Sequence, residues 1–213
     1  MTDAVKKRSY DSPVRQAQAA DTRARIVDAA ARLFERDGYA RTSIRQIAGE
    51  AGVAADTVYA VFASKPRLLT AVIDLRLAAG TGVGNVMERP EALAIRDEKD
   101  QRRQIELLAA DMAEVVGRVG PAFEMMRVAA SVEPAMADVY AEMQGYRRRN
   151  MHVAAEWIAA RGRLRVDLER ATDTLWVCTS PETHRALTVL QGWTSEQYRI
   201  WLVDTLTGAL LRP

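Results

Sequence analysis

Gly52 constrains this chain more than any other single residue, because it divides two short apolar stripes that both repeat at helical spacing. Ile44, Ile47 and Ala48 fall at i, i+3, i+4 on one helix face, while Arg45, Gln46 and Glu50 point away from it. Gly52 follows where a helix closes on a left-handed residue, a conformation glycine adopts without a Cβ clash. Val53 and Val58 then supply apolar contacts for the next turn of helix. Two helices this short, crossing at the small Ala48, make a helix-turn-helix, whose second helix lies in the major groove of DNA. The same spacing also occurs in short helix pairs of all-α proteins that never touch DNA.

The flanks favour the first reading. Ile26, Ala29, Ala30, Leu33 and Phe34 form a stripe on a helix opened by Asp21 or Thr22 and closed at Gly38. Ser64 is placed as an N-cap, with Pro66 in the first turn of a helix carrying Leu68, Leu69, Val72, Ile73 and Leu77. A helix-turn-helix alone has too little core, and these neighbours complete a small bundle.

In order and spacing, Phe34, Gly38-Tyr39, Thr42 to Ile47-Ala48, Ala51-Gly52-Val53, Thr57-Val58-Tyr59, Phe62 and Ser64-Lys65 resemble the DNA-binding region of the TetR/AcrR family of bacterial transcriptional regulators. The resemblance implies a homodimer with an N-terminal DNA-binding domain and a larger helical domain that binds a small molecule and dimerises. The expected fold is therefore all-α: an N-terminal three-helix bundle with the helix-turn-helix, joined by a fourth helix to a C-terminal helical domain. Boundaries are expected at residues 1–20 for a basic arm, 21–66 for the DNA-binding domain and 67–213 for the effector-binding and dimerisation domain, with the connecting helix at 65–79.

Ala55, Asp56 and Thr57, at the start of the recognition helix, are the expected base-edge contacts, and Thr57 can use hydroxyl or methyl. Arg45, on the exposed face of the preceding helix, can reach base or phosphate. Thr42, Tyr59 and Lys65 match positions where the resembled family holds the DNA backbone. For Tyr59 the alternative is core packing with Phe62. The chain departs from the family pattern at three places. Ala54 stands where a Ser or Thr N-cap is usual, a loss of about 1 kcal/mol in typical hosts. Asp56 replaces a frequent Gly and Pro66 a frequent Glu. Asp56 either accepts from cytosine N4 or complements the positive end of its own helix.

The whole chain has a formal charge of +2, yet residues 1–80 carry 13 Lys+Arg against 9 Asp+Glu and residues 81–213 carry 17 against 19. The basic excess lies in the half expected to meet phosphate. Lys6, Lys7, Arg8 and Arg15 mark the arm, which lacks apolar periodicity and is expected to be disordered when free, and which either follows the phosphates or enters the minor groove, or is an inert tail. There is no apolar core for a signal peptide and no run of 18 apolar residues, and the single Cys178 excludes an internal disulfide. A cytoplasmic location is expected. Ala78 to Asn85 carries Gly-x-Gly-x-Gly after a predicted helix and without a preceding strand, and reads as a connection.

Beyond it, helices are expected at Pro90–Arg118, Pro121–Val132, Pro134–Arg161, Leu168–Thr179 with Asp167 as cap, Ser180–Gln191, and Ser195–Leu211 behind a Thr194/Gln197 capping box, with Trp193 and Tyr198 as a hydrophobic staple. Of these, Leu168–Thr179 and Ser195–Leu211 carry apolar residues on more than one face, which demands cover on two sides. Leu175, Trp201, Leu202, Leu206 and Leu210 are accordingly expected at a dimer interface. Met112, Phe123, Met126, Tyr140, Met143 and Trp176 are adaptable or amphipathic side chains expected to line an effector pocket, unless they are ordinary core. His152, His184 and Cys178 form no metal-ligand spacing, and neither cofactor nor metal is expected. Taken with these residues, the resemblance implies a ligand-responsive repressor that binds a palindromic DNA operator as a homodimer and is released by a small-molecule effector. The alternative is a helical enzyme or partner-binding protein with an incidental three-helix bundle, for which no catalytic cluster speaks.

Overall fold

The computed structural model describes residues 13–77 and 86–212. Ten α-helices run in order: α1 (Pro13–Asp37), α2 (Ile44–Ala51), α3 (Ala55–Phe62), α4 (Lys65–Leu77), α5 (Pro90–Asp97), α6 (Gln101–Ala130), α7 (Pro134–Ala159), α8 (Leu168–Cys178), α9 (Pro181–Arg185) and α10 (Ser195–Leu210), with no strand among the described residues. The chain divides into two compact units, one ending at Leu68 and the other beginning at Leu69. The glycine-rich connection and the residues Lys6, Lys7 and Arg8 of the expected arm lie outside the described residues.

In the N-terminal unit, α1 packs on α2 and α2 on α3. The expected stripe is the core: Ile26, Ala29 and Ala30 are fully buried, as are Leu33 and Phe34 to within a few per cent. Gly38 ends α1 at φ +80°, its amide donating to Phe34 O at 3.0 Å. One expectation fails here. The helix starts at Pro13 and not at Asp21 or Thr22, so residues 13–20 are helical and not part of an irregular arm. Residues 15–20 are exposed and suit the helix by propensity: Gln16, Ala17, Gln18, Ala19 and Ala20 are strong helix formers, and proline suits a first helical position.

In the C-terminal unit, α6 is the axis, packed by α5, α7, α9 and α10, while α8 lies along α7. Its core joins Ile105, Leu108 and Ala109 of α6 to Ala154 and Ile158 of α7, Leu175 of α8, and Tyr198, Leu202, Leu206 and Leu210 of α10. Each large apolar side chain so buried contributes about 1.5–3 kcal/mol.

Two helix boundaries differ from expectation. The segment expected as one helix from Pro90 to Arg118 breaks at 98–100, where Glu98 Oε1 accepts from the amides of Lys99 (2.6 Å) and Asp100 (3.0 Å), and Asp100 caps α6 by accepting from the Arg103 amide (2.8 Å). Conversely, Pro121 was expected to open a new helix and instead sits inside α6. Proline leaves the Gly117 carbonyl without its helical donor, but Val116, Val119, Ala122 and Phe123 are buried on both sides of it. Tertiary packing outweighs the local break. Asp167 and the Thr194/Gln197 box cap α8 and α10 as expected. Trp193, expected to staple against Tyr198, lies edge-on to Trp201 at 6.4 Å between ring centroids.

The expected dimer residues need correction. Leu175, Leu202 and Leu206 are fully buried and Leu210 is 1% exposed, so all four belong to the chain's own core, and of the five only Trp201 keeps accessible surface. Apolar residues around a whole helix do not reveal which stripe is the inner one. On α10 the leucines at i, i+4, i+8 face inward, leaving Ile200 and Val203 on the outer side, and Val177 is exposed on α8.

Candidate nucleic-acid interface and effector cavity

The turn between α2 and α3 is pinned from both ends. Ser43 Oγ accepts from the Gln46 amide (3.2 Å) and Gln46 Oε1 from the Ser43 amide (2.8 Å), a capping box that opens α2. Gly52 closes it at φ +66°, and Val53 N donates back to Ala48 O at 3.0 Å. Arg25, reaching over from α1, donates through Nη2 to the carbonyls of Ala51 and Gly52. A Cβ on Gly52 would come within 3.2 Å of that same nitrogen. The crossing is thus fixed by a glycine, a cap and an arginine hook.

Within α3, Val58 and Phe62 turn inward, and the Arg23 guanidinium lies 4.5 Å above the Phe62 ring. Asp56, Tyr59 and Ala60, at i, i+3, i+4, share the exposed face, while Ala55 and Thr57 are half-buried. Tyr59 is 52% exposed, which removes the core-packing alternative for it. Ala60 was missed by sequence reading, although its place four residues after Asp56 marks it as part of the same face. Arg45 is exposed on α2. As its residue type dictates, Ala54 gives α3 no side-chain cap.

Thr42 departs from its expected role. It is 2% exposed, and its hydroxyl lies 2.9 Å from Gly38 O and 3.3 Å from Leu33 O, to which it donates. A hydroxyl with one hydrogen, engaged with the carbonyls at the end of α1, has none for a phosphate. Lys65 keeps partial exposure with its Nζ 3.9 Å from the Tyr39 ring centroid, a cation–π contact that aims the stem of the side chain. Between α3 and α4, Ala63 takes φ +60°, ψ −38°, and Ser64 N donates to Phe62 O at 2.6 Å. This is a γ-turn of the strained, positive-φ kind.

The C-terminal unit encloses an apolar cavity of about 80 Å³ walled by α5, α6 and α7 together with Leu77 and Pro181. Three of the six residues expected to line it do so: Met112, Phe123 and Met143. The other three do not. Met126 is fully buried in the core. Tyr140 donates its hydroxyl to Glu182 Oε1 at 2.7 Å, and burial together with that carboxylate leaves the phenol pushed up to about 12. Trp176 lies under the Arg147 guanidinium at 5.4 Å. Polar wall residues that sequence reading missed include Arg89, Asp111, Tyr146, Arg147 and Asn150. Arg89 and Asp111 are almost fully buried and paired at 2.7 Å. Burial pushes the Asp111 carboxyl above its usual value, with Arg89 pulling it back. No group of His, Cys, Asp and Glu among the described residues could hold a metal ion, and no described helix is long and apolar enough to cross a membrane.

Residues 26–72, from the core of α1 into α4, match the family model of bacterial regulatory proteins of the tetR family. The HTH-type transcriptional regulator TtgR of Pseudomonas putida is 42% identical over 57 residues, a stretch covering 27% of this chain and 27% of that protein. The match therefore spans about a quarter of the curated relative's length. Solved structures share the fold over about nine-tenths of the chain. A TetR transcription regulator from Haloarcula marismortui superposes with a TM-score of 0.65 at 22% identity, covering 90% of this chain and 100% of that one. NalD, described as the secondary repressor of the MexAB-OprM multidrug efflux pump in Pseudomonas aeruginosa, gives 0.63 at 20% identity over 91% of this chain and 98% of its own.

Proposed function

Because residues 26–72 place this chain in the TetR family of bacterial regulatory proteins, we propose that it is a ligand-responsive transcriptional repressor that binds a palindromic operator as a homodimer and leaves it when a small molecule binds. The observation that carries the reading is the face of α3, where Asp56, Tyr59 and Ala60 stand exposed on a helix whose opposite side is anchored by Val58 and Phe62. Asp56 and Thr57, with Ala55 beside them, contact base edges. Arg45, Tyr59 and Lys65 hold phosphates. One such helix reads only a few base pairs, and two held about 34 Å apart read both halves of a palindrome. The exposed Val177 and Ile200 with the half-exposed Trp201 and Val203 suit the surface that brings the second copy.

The cavity supports the effector half of the reading, since an apolar concavity with a few convergent polar groups is the usual form of a small-molecule site. Duplexes selected from a random pool test the proposal directly. A palindromic consensus is expected, with selectivity lost when Thr57 and Tyr59 are replaced by Ala. Lys65→Ala should bind every duplex more weakly and lower the slope of log K against log salt by about 1, the contribution of one neutralised phosphate. No selectivity at low salt, with or without added small molecules, would sink the proposal and favour a partner-binding protein.

A further inference from the structure

Among the described residues that line the C-terminal cavity, one cation forms no ion pair. Arg89 and Asp111 neutralise each other, and Thr179 donates its hydroxyl to Leu175 O at 2.8 Å. Arg147 differs from both. Its Nη1 donates to the Gln144 side-chain oxygen (3.1 Å) and its Nη2 to the Trp176 carbonyl (2.6 Å), both neutral acceptors. Among the described residues no carboxylate forms an ion pair with it; Glu182, which accepts from Gln144 Nε2 at 3.3 Å, adds a charge interaction without pairing with the guanidinium. Burial pushes the Arg147 guanidinium down from its usual value, the mark of a charge short of solvation. Three residues along the same helix, the Asn150 side chain lines the cavity with no protein hydrogen bond among the described residues.

We propose that the effector is an amphiphilic carboxylate, an apolar chain or ring ending in one carboxylate, whose head pairs with Arg147 and Asn150 while its body fills the space beside Met112, Phe123 and Met143. The inference rests on the reading of this chain as an effector-responsive regulator and adds the chemical class. A guanidinium in an apolar wall favours a planar anion that it can meet with two parallel hydrogen bonds. A cationic ligand would meet a wall whose one acidic group among the described residues, Asp111, is already paired, and a neutral one would leave Arg147 without an ion pair.

Calorimetry on the full-length protein without DNA separates these outcomes, using octanoate, 1-octanol and octylammonium, which share a chain length and differ in head-group charge. Octanoate is expected to bind at least tenfold tighter than 1-octanol, with octylammonium weakest. Arg147→Met should bring octanoate to the level of 1-octanol and leave 1-octanol within threefold. Equal binding of octanoate and 1-octanol, tighter binding of octylammonium, binding of none of the three, or an undiminished preference in the variant would each overturn the proposal. Should Arg147→Met fail to fold by circular dichroism, Asn150→Ala serves instead, and is expected to weaken octanoate at least threefold while sparing 1-octanol. Release of a selected duplex is measured separately. Octanoate that binds without releasing DNA would refute the role as releasing effector while the ligand class stands, whereas absence of any selected duplex would refute the regulator reading alone.

Discussion

The exposed face of α3 and the cavity of the C-terminal unit differ in how much chain each requires. The face is convex and is complete within about two dozen residues, because Ser43, Gly52, Val58 and Phe62 fix the helix pair that presents it. The cavity is concave and draws its wall from Leu77 to Pro181, so that every wall residue answers to packing partners far away in sequence. A convex site tolerates error in its surroundings better than a concave one. It needs only the right side chains on the outer face of a stable scaffold, whereas a cavity exists only where several helices fail to close on one another.

That contrast can be broken or sharpened by substitution, beginning with the deepest position. Leu206→Ala should lower the unfolding free energy by about 2–5 kcal/mol, as truncation in a packed core does, with urea denaturation as the measurement. A loss below about 1 kcal/mol would return Leu206 from the subunit core to an interface. Next in size is Thr42→Val, expected to cost about 1–3 kcal/mol through the Gly38 and Leu33 carbonyls left without their donor. Its salt slope on DNA should stay that of the parent; a drop of about one unit would make Thr42 a phosphate contact after all. The two ends of the helix-turn-helix then give a matched pair. Ser43→Ala should destabilise by about 1 kcal/mol and Ala54→Ser stabilise by up to about 1 kcal/mol, because the first removes a working cap and the second supplies a missing one. Thermal melts that show no gain for Ala54→Ser would mean the start of α3 has no free amide to satisfy. Smallest of all, Ile200→Lys should leave subunit stability within about 0.5 kcal/mol of the parent while shifting sedimentation towards monomer. Unchanged self-association would move the dimer surface away from the outer side of α10.

The same contrast governs what could be read before any coordinates. Short-range signals with a mechanism carried over: Gly38 and Gly52 in left-handed conformations, Asp167 and Thr194 as caps, and the Ile26 to Phe34 stripe as core. Signals that needed a third dimension did not. Pro121 looked like a helix start because local sterics say so, and only the packing on either side of it shows why α6 runs through. The leucines of α10 looked like an interface because apolarity records burial without recording what does the burying. Arg147 sat in a run of three arginines that resembles a solvated face; it lies against Trp176 and the cavity, while Arg148 pairs outward with Glu169 and Asp173. The Ser43/Gln46 box was available in the sequence as Ser-x-x-Gln and went unread.

The γ-turn at Ala63 sets the mechanical character of the reading head. A positive-φ pose costs an alanine about 1–3 kcal/mol, and the obvious relief would be to straighten α3 and α4 into one helix. Pro66 closes that route, because in a continuous helix its ring would strike the Phe62 carbonyl that Ser64 N now occupies. The elbow can therefore neither unbend nor hinge as freely as it would with glycine at its centre. A push on the first turn of α4 would therefore reach α3 as rotation of a bent crank, with less of it absorbed at the joint than a glycine there would allow.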